Sequence, residues 1–443
     1  MSAKRLVIVA SRWSIWPIIV LILASFVYVG VNVPKHREFS PYDEYVYLDY
    51  LAKVPTQLIV HKNEQVGEFA RNEISCRGVV DYGEFGERCD TGSHRDNVTY
   101  PYAGYSGADI YSPAYFAVTW AIAQPLTWIG LDLLDAGRMV GALWLAGGLI
   151  MLYGVMRRLK IDKSLAVGLN LLVMISPAVY WADTYLSTDA ASLAAGAAVA
   201  LVGVLVAQRR IAVAWLIPLA IVVVLFKVQN LTAVVLVGLA LMIHTLWTRS
   251  PRDGSTDRVP WHRAVCSKVF VLTVTSIVAG AVAQVGWLSI RAALAGPLTA
   301  KVMVDITEKP LTTMSLTGES FKFLFSIGFS DLPSGVTGMV AANVLTALSV
   351  AGVVGLLAMR ANWSTSVVTL AFATLIVALA MGPALAISTL ALTGSYFPLP
   401  IRYGIILLPA FVICAGLLLS QSRRSGVLVL VVSAAMAAVV IAV

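Results

Sequence analysis

What most constrains this chain is the recurrence of long apolar stretches. Segments close to the roughly 17–25 residues needed to cross a bilayer open at Trp13–Val33 and return at about 136–156, 164–180, 188–207, 211–226, 229–247, 267–290, 336–359, 365–390, 403–420 and 426–443. A chain with that many spans cannot bury them all in a water-soluble core. Composition agrees: 58% of the 443 residues are hydrophobic and only 13% charged, with a mean hydropathy of +0.82, whereas soluble domains carry about a quarter charged residues. The net charge of +8 does not indicate nucleic acid as a partner. The basic residues lie in short runs between apolar stretches, as topology signals do, so the implied partner is a lipid bilayer.

The basic runs also orient the spans. The stretch 113–131 is apolar but carries Pro125 in its middle and Trp120 and Trp128 along it. If it lies at the interface or re-enters, then Lys4, Arg5, Arg157-Arg158-Leu159-Lys160, Arg209-Arg210, the loop from Arg249 to Lys268, Arg360 and Arg423-Arg424 all share the cytoplasmic side. If it spans, all but the first two flip outside. The positive-inside rule selects the first solution. The expectation is an all-α polytopic membrane protein of about eleven transmembrane helices, with its C-terminal end outside the cytoplasm. Residues 1–33 form a retained N-terminal transmembrane helix rather than a cleaved signal. Residues 34–135 form a long extracytoplasmic loop with juxtamembrane helices, and 136–443 a bundle with a second outer loop at about 291–335.

This topology gathers the remaining charges on one face. Asp43 and Glu44 are an adjacent acidic pair just beyond the first helix, followed by Tyr47 and Asp49-Tyr50. Carboxylates this close to a membrane are costly unless solvated or paired. They suit a general base, a metal ligand or a sugar-hydroxyl acceptor, with a solvated loop charge plus helix N-cap as the plain alternative. Asp183 and Asp189 fall in the turn between two spans; Asp189 precedes the apolar run at Ala190 as an N-cap would, whereas Asp183 has no such role. Lys227 and Arg402 sit singly at the outer ends of apolar runs, where they either anchor the interface or hold a phosphate. Arg138 and Arg291 lie at the same depth. Cys76 and Cys89 are the two outer-loop cysteines, and an oxidising compartment favours a disulfide between them. His94 nearby completes no zinc spacing. Asn97-Val98-Thr99 has the glycosylation pattern.

These positions resemble the GT-C superfamily of polyprenyl-phosphate-sugar-dependent glycosyltransferases, in particular its bacterial, actinobacterial-type members. The resemblance runs in order along nearly the whole chain. It comprises Pro41-Tyr42-Asp43-Glu44 followed by Leu48-Asp49-Tyr50, then Tyr111-Ser112-Pro113-Ala114-Tyr115-Phe116, then the span from Arg138 to Leu159. Ser176-Pro177 with Asp189, Lys227, and finally Arg402-Tyr403 complete it. It implies juxtamembrane helices in the first loop, a lipid-phosphate sugar donor entering from the outer leaflet, and a glycan or lipid acceptor. By this resemblance Asp43 or Glu44 is the base. Lys227 and Arg402, with Arg138 and Arg291 behind them, face the leaving phosphate, and Asp183, Asp189, Tyr47 and Tyr403 contact substrate. The chain departs from the pattern in having Tyr47 where a histidine is common, and it is expected to lack a soluble C-terminal domain.

No Walker loop, dinucleotide fingerprint or nucleophile elbow competes. The sequence names no cofactor, and a divalent cation at the acidic pair is left open. The alternative function is a transporter or lipid-linked-substrate flippase. Such proteins place ionisable groups near the midplane, often on repeat-related broken helices, and this sequence has neither.

Overall fold

The computed structural model describes residues 15–89, 94, 96–248, 261–297 and 310–442. Lys4, Arg5 and most of the loop from Arg249 to Lys268 lie outside the described residues, as does the stretch 298–309 of the second outer loop. Eighteen α-helices follow one another: α1 Trp16–Asn32, α2 Glu44–Gln57, α3 Glu68–Arg77, α4 Pro113–Trp128, α5 Leu133–Met139, α6 Gly141–Arg158, α7 Lys163–Met174, α8 Pro177–Asp183, α9 Ala190–Ala207, α10 Leu216–Phe226, α11 Leu231–Trp247, α12 Trp261–Val265, α13 Lys268–Ala293, α14 Thr313–Phe325, α15 Val336–Ala358, α16 Thr365–Thr393, α17 Leu408–Leu419 and α18 Arg423–Ala442. Among the described residues there is no β-strand, only isolated bridges such as Phe39 with Val79 and Gln65 with Tyr105.

Nine helical segments among the described residues are long and apolar enough to cross a membrane. Counting one bent pair as a span brings them to ten, against the eleven expected; the eleventh expected segment is a short apolar helix. The bent pair corrects the single span expected at 164–180: α7 and α8 meet at 66°. Pro177 opens α8, so it offers no N–H to the α7 ladder, and Ser176 before it takes an extended backbone (φ −72°, ψ 146°) as pre-proline residues do. The short helix is the segment expected at 211–226, observed as Val213–Phe226 and under the length that spans unaided.

The bundle packs through small residues, as helices do where lipid removes any hydrophobic advantage of association. A Cβ on Gly168 would lie 2.7 Å from the Leu430 backbone nitrogen, so α7 and α18 touch backbone to backbone. Gly352 does the same for α15 against α17 at Ala415.

A second, separate core caps this bundle. It joins Phe39, Tyr47, Leu48, Tyr50, Leu51 and Phe116 to Leu186, Ala190 and Ala191 of the bundle. Tyr50 stacks on Phe116 with ring centroids 4.0 Å apart, fixing α2 on α4. Helix α4 is too short to count as a span. Ser112 starts it by accepting the Ala114 N–H at 3.3 Å, with Pro113 at its first position. The first loop is thus a folded cap of helices, and α2 is buried along most of its length.

Candidate functional site

The two adjacent carboxylates part at the start of α2. Asp43 has a left-handed backbone (φ 61°, ψ 9°) and its side chain caps nothing, so the N-cap alternative fails. The turn directs Asp43 outward, its side chain about a third exposed, while Glu44 is fully buried. One Glu44 oxygen accepts from Arg138 Nε at 2.8 Å and Leu186 N at 2.7 Å; the other accepts from Arg138 Nη2 at 2.8 Å and Ser40 N at 2.7 Å. Arg138 is equally enclosed: Nη1 donates to the His36 carbonyl at 2.6 Å and Nη2 to the Glu38 carbonyl at 2.8 Å. Its guanidinium also lies 5.0 Å over the Tyr185 ring. This corrects two expectations. Glu44 has no lone pair left for a substrate proton, and Arg138, with no exposed surface, is not open to a phosphate. Together they brace the end of α1, the start of α2, α5 and the turn before α9.

Asp43 belongs to a different cluster. Its Oδ2 lies 3.3 Å from Arg402 Nη2 and its Oδ1 3.4 Å from the Tyr102 hydroxyl. Arg402 Nε is 3.5 Å from Asp189 Oδ2, and Asp189 Oδ1 pairs with Lys227 Nζ. So Arg402 bridges two carboxylates, and Lys227 sits on the far side of the second. The Arg402 guanidinium covers the Tyr42 ring at 3.9 Å, and Lys227 Nζ lies 5.1 Å from the Tyr403 ring centre and 6.0 Å from that of Tyr111. Tyr47 donates to the Tyr111 hydroxyl at 3.3 Å. Of the residues singled out in the sequence, Asp43, Asp189, Lys227, Arg402, Tyr47 and Tyr403 meet here. Asp189 does not cap α9: its side chain makes no cap bond, because Lys227 and Arg402 hold it.

The backbone explains why the two cations face inward. Lys227 follows the last turn of α10, where the chain turns extended (φ −162°, ψ 132°) before the short turn at Val228–Asn230. The Ser112 hydroxyl bonds the Leu225 carbonyl and Asn230 Nδ2 bonds that of Val223, satisfying helix-end acceptors that would otherwise be buried without partners. Burial holds the Lys227 ammonium below the usual lysine range against the opposing pull of Asp189. Arg402 follows a loop held by the segment from Glu319 to Asp331. Asp331 accepts the N–H of Ile401 at 2.9 Å and of Arg402 at 3.5 Å. Lys322 donates to the Leu399 carbonyl at 2.7 Å, while Glu319 accepts the Leu399 N–H at 3.1 Å. Arg402 Nη1, though buried, makes no hydrogen bond within the protein, and a buried donor of that kind calls for a partner.

Other expected positions lie elsewhere. Asp183 is fully buried, neither carboxylate oxygen has a partner in the protein, and it makes no hydrogen bond or ion pair with the cluster. Arg291 pairs with Asp109, Nη2 to Oδ2 at 2.6 Å, and Trp287 Nε1 bonds the Ile110 carbonyl at 2.9 Å. Arg291 therefore ties α13 to the turn before Tyr111 and does not join the cluster. Cys76 and Cys89 form a disulfide with Cα atoms 4.7 Å apart. His94 Nδ1 meets the Tyr100 hydroxyl at 2.9 Å. The Asn97 sequon is folded into a tight turn, with Oδ1 of Asn97 accepting from Arg71 at 2.6 Å and Thr99 donating to the Asp96 carbonyl at 2.9 Å. Among the described residues no three His, Cys, Asp or Glu side chains converge. Asp43 and Asp189 already face cations, a donor set that does not suit a divalent ion wanting several free oxygens.

Tyr42, Tyr102, Tyr111 and Asp331 were not picked out as site residues. Tyr42 and Tyr111 stand inside the quoted motifs, which was the one available signal. Between α9, α11, α16 and α17 lies a partly open apolar cavity of about 210 Å³, walled by small side chains including Gly196, Ala200, Gly203 and Ala233 and reaching Leu159, Gln208 and His244 at the end of the bundle away from the cluster. Ile406, one turn beyond Arg402, is part of its lining.

The described residues form an all-α polytopic membrane architecture. The crystal structure of ArnT from Cupriavidus metallidurans in the apo state superposes with a TM-score of 0.52 at 16% identity, over 94% of this chain and 61% of that one. At that identity the likeness is one of fold, and this chain spans about three-fifths of the length of ArnT. No protein-family model and no curated protein matches the sequence.

Proposed function

We propose that this protein is an inverting glycosyltransferase that moves a sugar from a polyprenyl-phosphate donor to an extracytoplasmic glycan or lipid. Asp43 is the general base. The observation that carries the reading is the chain of alternating charges Asp43–Arg402–Asp189–Lys227, with an apolar cavity that begins at Ile406, one turn from Arg402. Asp43 takes the proton of an acceptor hydroxyl as its oxygen attacks the anomeric carbon. The bond from that carbon to the phosphate oxygen breaks, and polyprenyl phosphate leaves with the electron pair. The leaving phosphate gains one negative charge, and preplaced cations stabilise such charge most effectively where water is excluded. Lys227 and the unfilled Nη1 of Arg402 are those cations.

The test is transfer by the purified protein in nanodiscs from a panel of radiolabelled polyprenyl-phosphate sugars. Asp43→Asn should lower kcat by about 10²-fold or more, the usual worth of a general base, with donor binding intact. Lys227→Ala and Arg402→Ala should weaken donor binding and turnover together. Wild-type turnover in Asp43→Asn would sink the assignment. Movement of a labelled lipid between leaflets without transfer would make the protein a flippase instead.

A further inference from the structure

Two arginines, Arg138 and Arg402, are held in opposite ways. Arg138 is fixed chiefly by its edges, through four side-chain hydrogen bonds of 2.6 to 2.8 Å. Arg402 has no comparable edge contact. Its Nη2 reaches Asp43 at 3.3 Å and its Nε lies 3.5 Å from Asp189, both longer than the roughly 2.7–2.9 Å of a charge-assisted hydrogen bond. Its Nη1 has no partner in the protein. What covers it most closely is a ring: the guanidinium carbon is 3.9 Å from the centre of Tyr42, against 5.9 Å for Tyr403. Tyr42 is itself well fixed. Its hydroxyl meets Ser330 Oγ at 3.1 Å, and that oxygen also accepts the Leu332 N–H at 3.2 Å. Its N–H donates to Ser40 Oγ at 3.1 Å, and the Ser40 N–H is one of the donors to Glu44. Trp181 packs nearly perpendicular to the ring with centroids 6.0 Å apart, and its Nε1 donates to the Pro333 carbonyl at 3.3 Å.

We infer that Tyr42 is a positioning residue for Arg402: its ring holds the guanidinium by the face, which leaves the edge, Nη1 included, open to the oxygens of the donor's phosphate. This rests on the glycosyltransferase reading above and adds to it a residue that touches neither sugar nor lipid. A guanidinium is planar and weakly hydrated, stacks on aromatic faces, and binds phosphate in its own plane through parallel N–H donors. Stacking and phosphate binding therefore do not compete. A carboxylate that held the same group tightly by its edge would take the donors that a phosphate needs. Arg138 shows that outcome, with its edge donors committed to Glu44 and to the carbonyls of His36 and Glu38. Tyr42 also precedes Asp43 in the chain, so the ring that steadies the cation borders the turn that carries the base.

The test is binding to the full chain in nanodiscs of two radiolabelled probes, a polyprenyl monophosphate without sugar and the matching uncharged polyprenol. Tyr42→Leu should weaken the phosphate about tenfold, within the range of a cation–π contact, and leave the polyprenol within about twofold. Tyr42→Phe and Tyr42→Trp keep a ring face and should restore phosphate binding. Arg402→Lys keeps the charge and loses the plane. It should weaken the phosphate as Tyr42→Leu does, and combining the two should add less than about twofold, because they act through one contact. Wild-type phosphate binding in Tyr42→Leu overturns the proposal. So do equal losses of phosphate and polyprenol, which would reduce the ring to packing, and additive losses in the double variant. A Tyr42→Phe defect as large as that of Tyr42→Leu overturns it too, moving the role to the Ser330 contact. If Tyr42→Leu does not fold, Arg402→Lys decides: wild-type phosphate binding without the planar group removes the need for a ring. The two readings fail separately. Phosphate binding that needs the ring, with no transfer from any donor, removes the enzyme and keeps the positioning role; transfer by Tyr42→Leu at wild-type donor KM does the reverse.

Discussion

Glu44→Gln should damage stability where Asp43→Asn damages only turnover, although the two residues are neighbours. Glu44 accepts four hydrogen bonds through two oxygens, two of them from a guanidinium with no exposed surface. An amide keeps one oxygen and turns its NH2 group toward donors. Two acceptor contacts are lost and the buried Arg138 keeps only the looser Asp135, 3.6 Å from Nη1, as counter-ion, so the cost approaches that of a broken buried pair, about 3–5 kcal/mol. Asp43 is partly exposed and its nearest contacts are 3.3 and 3.4 Å, so Asp43→Asn should cost under about 1 kcal/mol. Thermal unfolding in detergent, followed by intrinsic fluorescence, should place Glu44→Gln several degrees below wild type and Asp43→Asn within about a degree of it. The double variant Glu44→Leu with Arg138→Met should recover much of the loss, since an apolar pair can replace a buried ionic one. A Glu44→Gln protein with wild-type Tm and no turnover would refute the reasoning and make Glu44 the base.

Three further outcomes follow from particular contacts. Burial foremost, then Arg138, holds the His36 imidazole down to about 4; the unfolded chain therefore takes up a proton near pH 6.5 that the folded chain refuses. Tm should fall as pH drops from about 6.5 toward 4 and level off below, and His36→Asn should flatten that limb. Filling the apolar cavity with Ala200→Phe should raise donor KM by about tenfold while kcat at saturation holds, because each buried CH2 of a lipid tail contributes about 0.8 kcal/mol; an unchanged KM would place the tail elsewhere. Cys76→Ser with Cys89→Ser opens a loop whose closure over 13 residues is worth about 3 kcal/mol, so limited proteolysis should cut between those positions in the variant and spare the wild type.

Much of this was legible because a charge in an apolar run stands out. Lys227 and Arg402 were visible for that reason, and the positive-inside pattern separated them from the topology signals. Arg138 had the same signature and a different fate, since nothing in one dimension says that α5 tucks it beneath the cap. Glu44 and Asp43 are indistinguishable by spacing; a single left-handed residue sends one outward and the other into the core. Asp189 matched an N-cap pattern that its side chain ignores, because a buried cation outbids a backbone N–H. The bend at Ser176-Pro177 was written in the sequence, but proline inside apolar segments is tolerated often enough that a straight span was the natural expectation. The tyrosines around the cluster come from separate parts of the chain, and only folding assembles them.

The cap's core has a consequence for how the chain is made. Residues 34–135 are synthesised well before Leu186, Ala190 and Ala191, yet those three complete the cap's apolar interior, and the Leu186 N–H fills one of the four acceptor contacts of Glu44. Arg138 also arrives after the carbonyls of His36 and Glu38 that it binds. The first loop must therefore wait, unclosed, while the chain through the start of α9 is threaded and seated. During that interval Glu44, Tyr47 and Tyr50 face water, and the loop is exposed to proteases and mispairing of its cysteines. Insertion of α6 to α9 is then the step that locks it, so a defect deep in those helices would surface first as an unfolded cap.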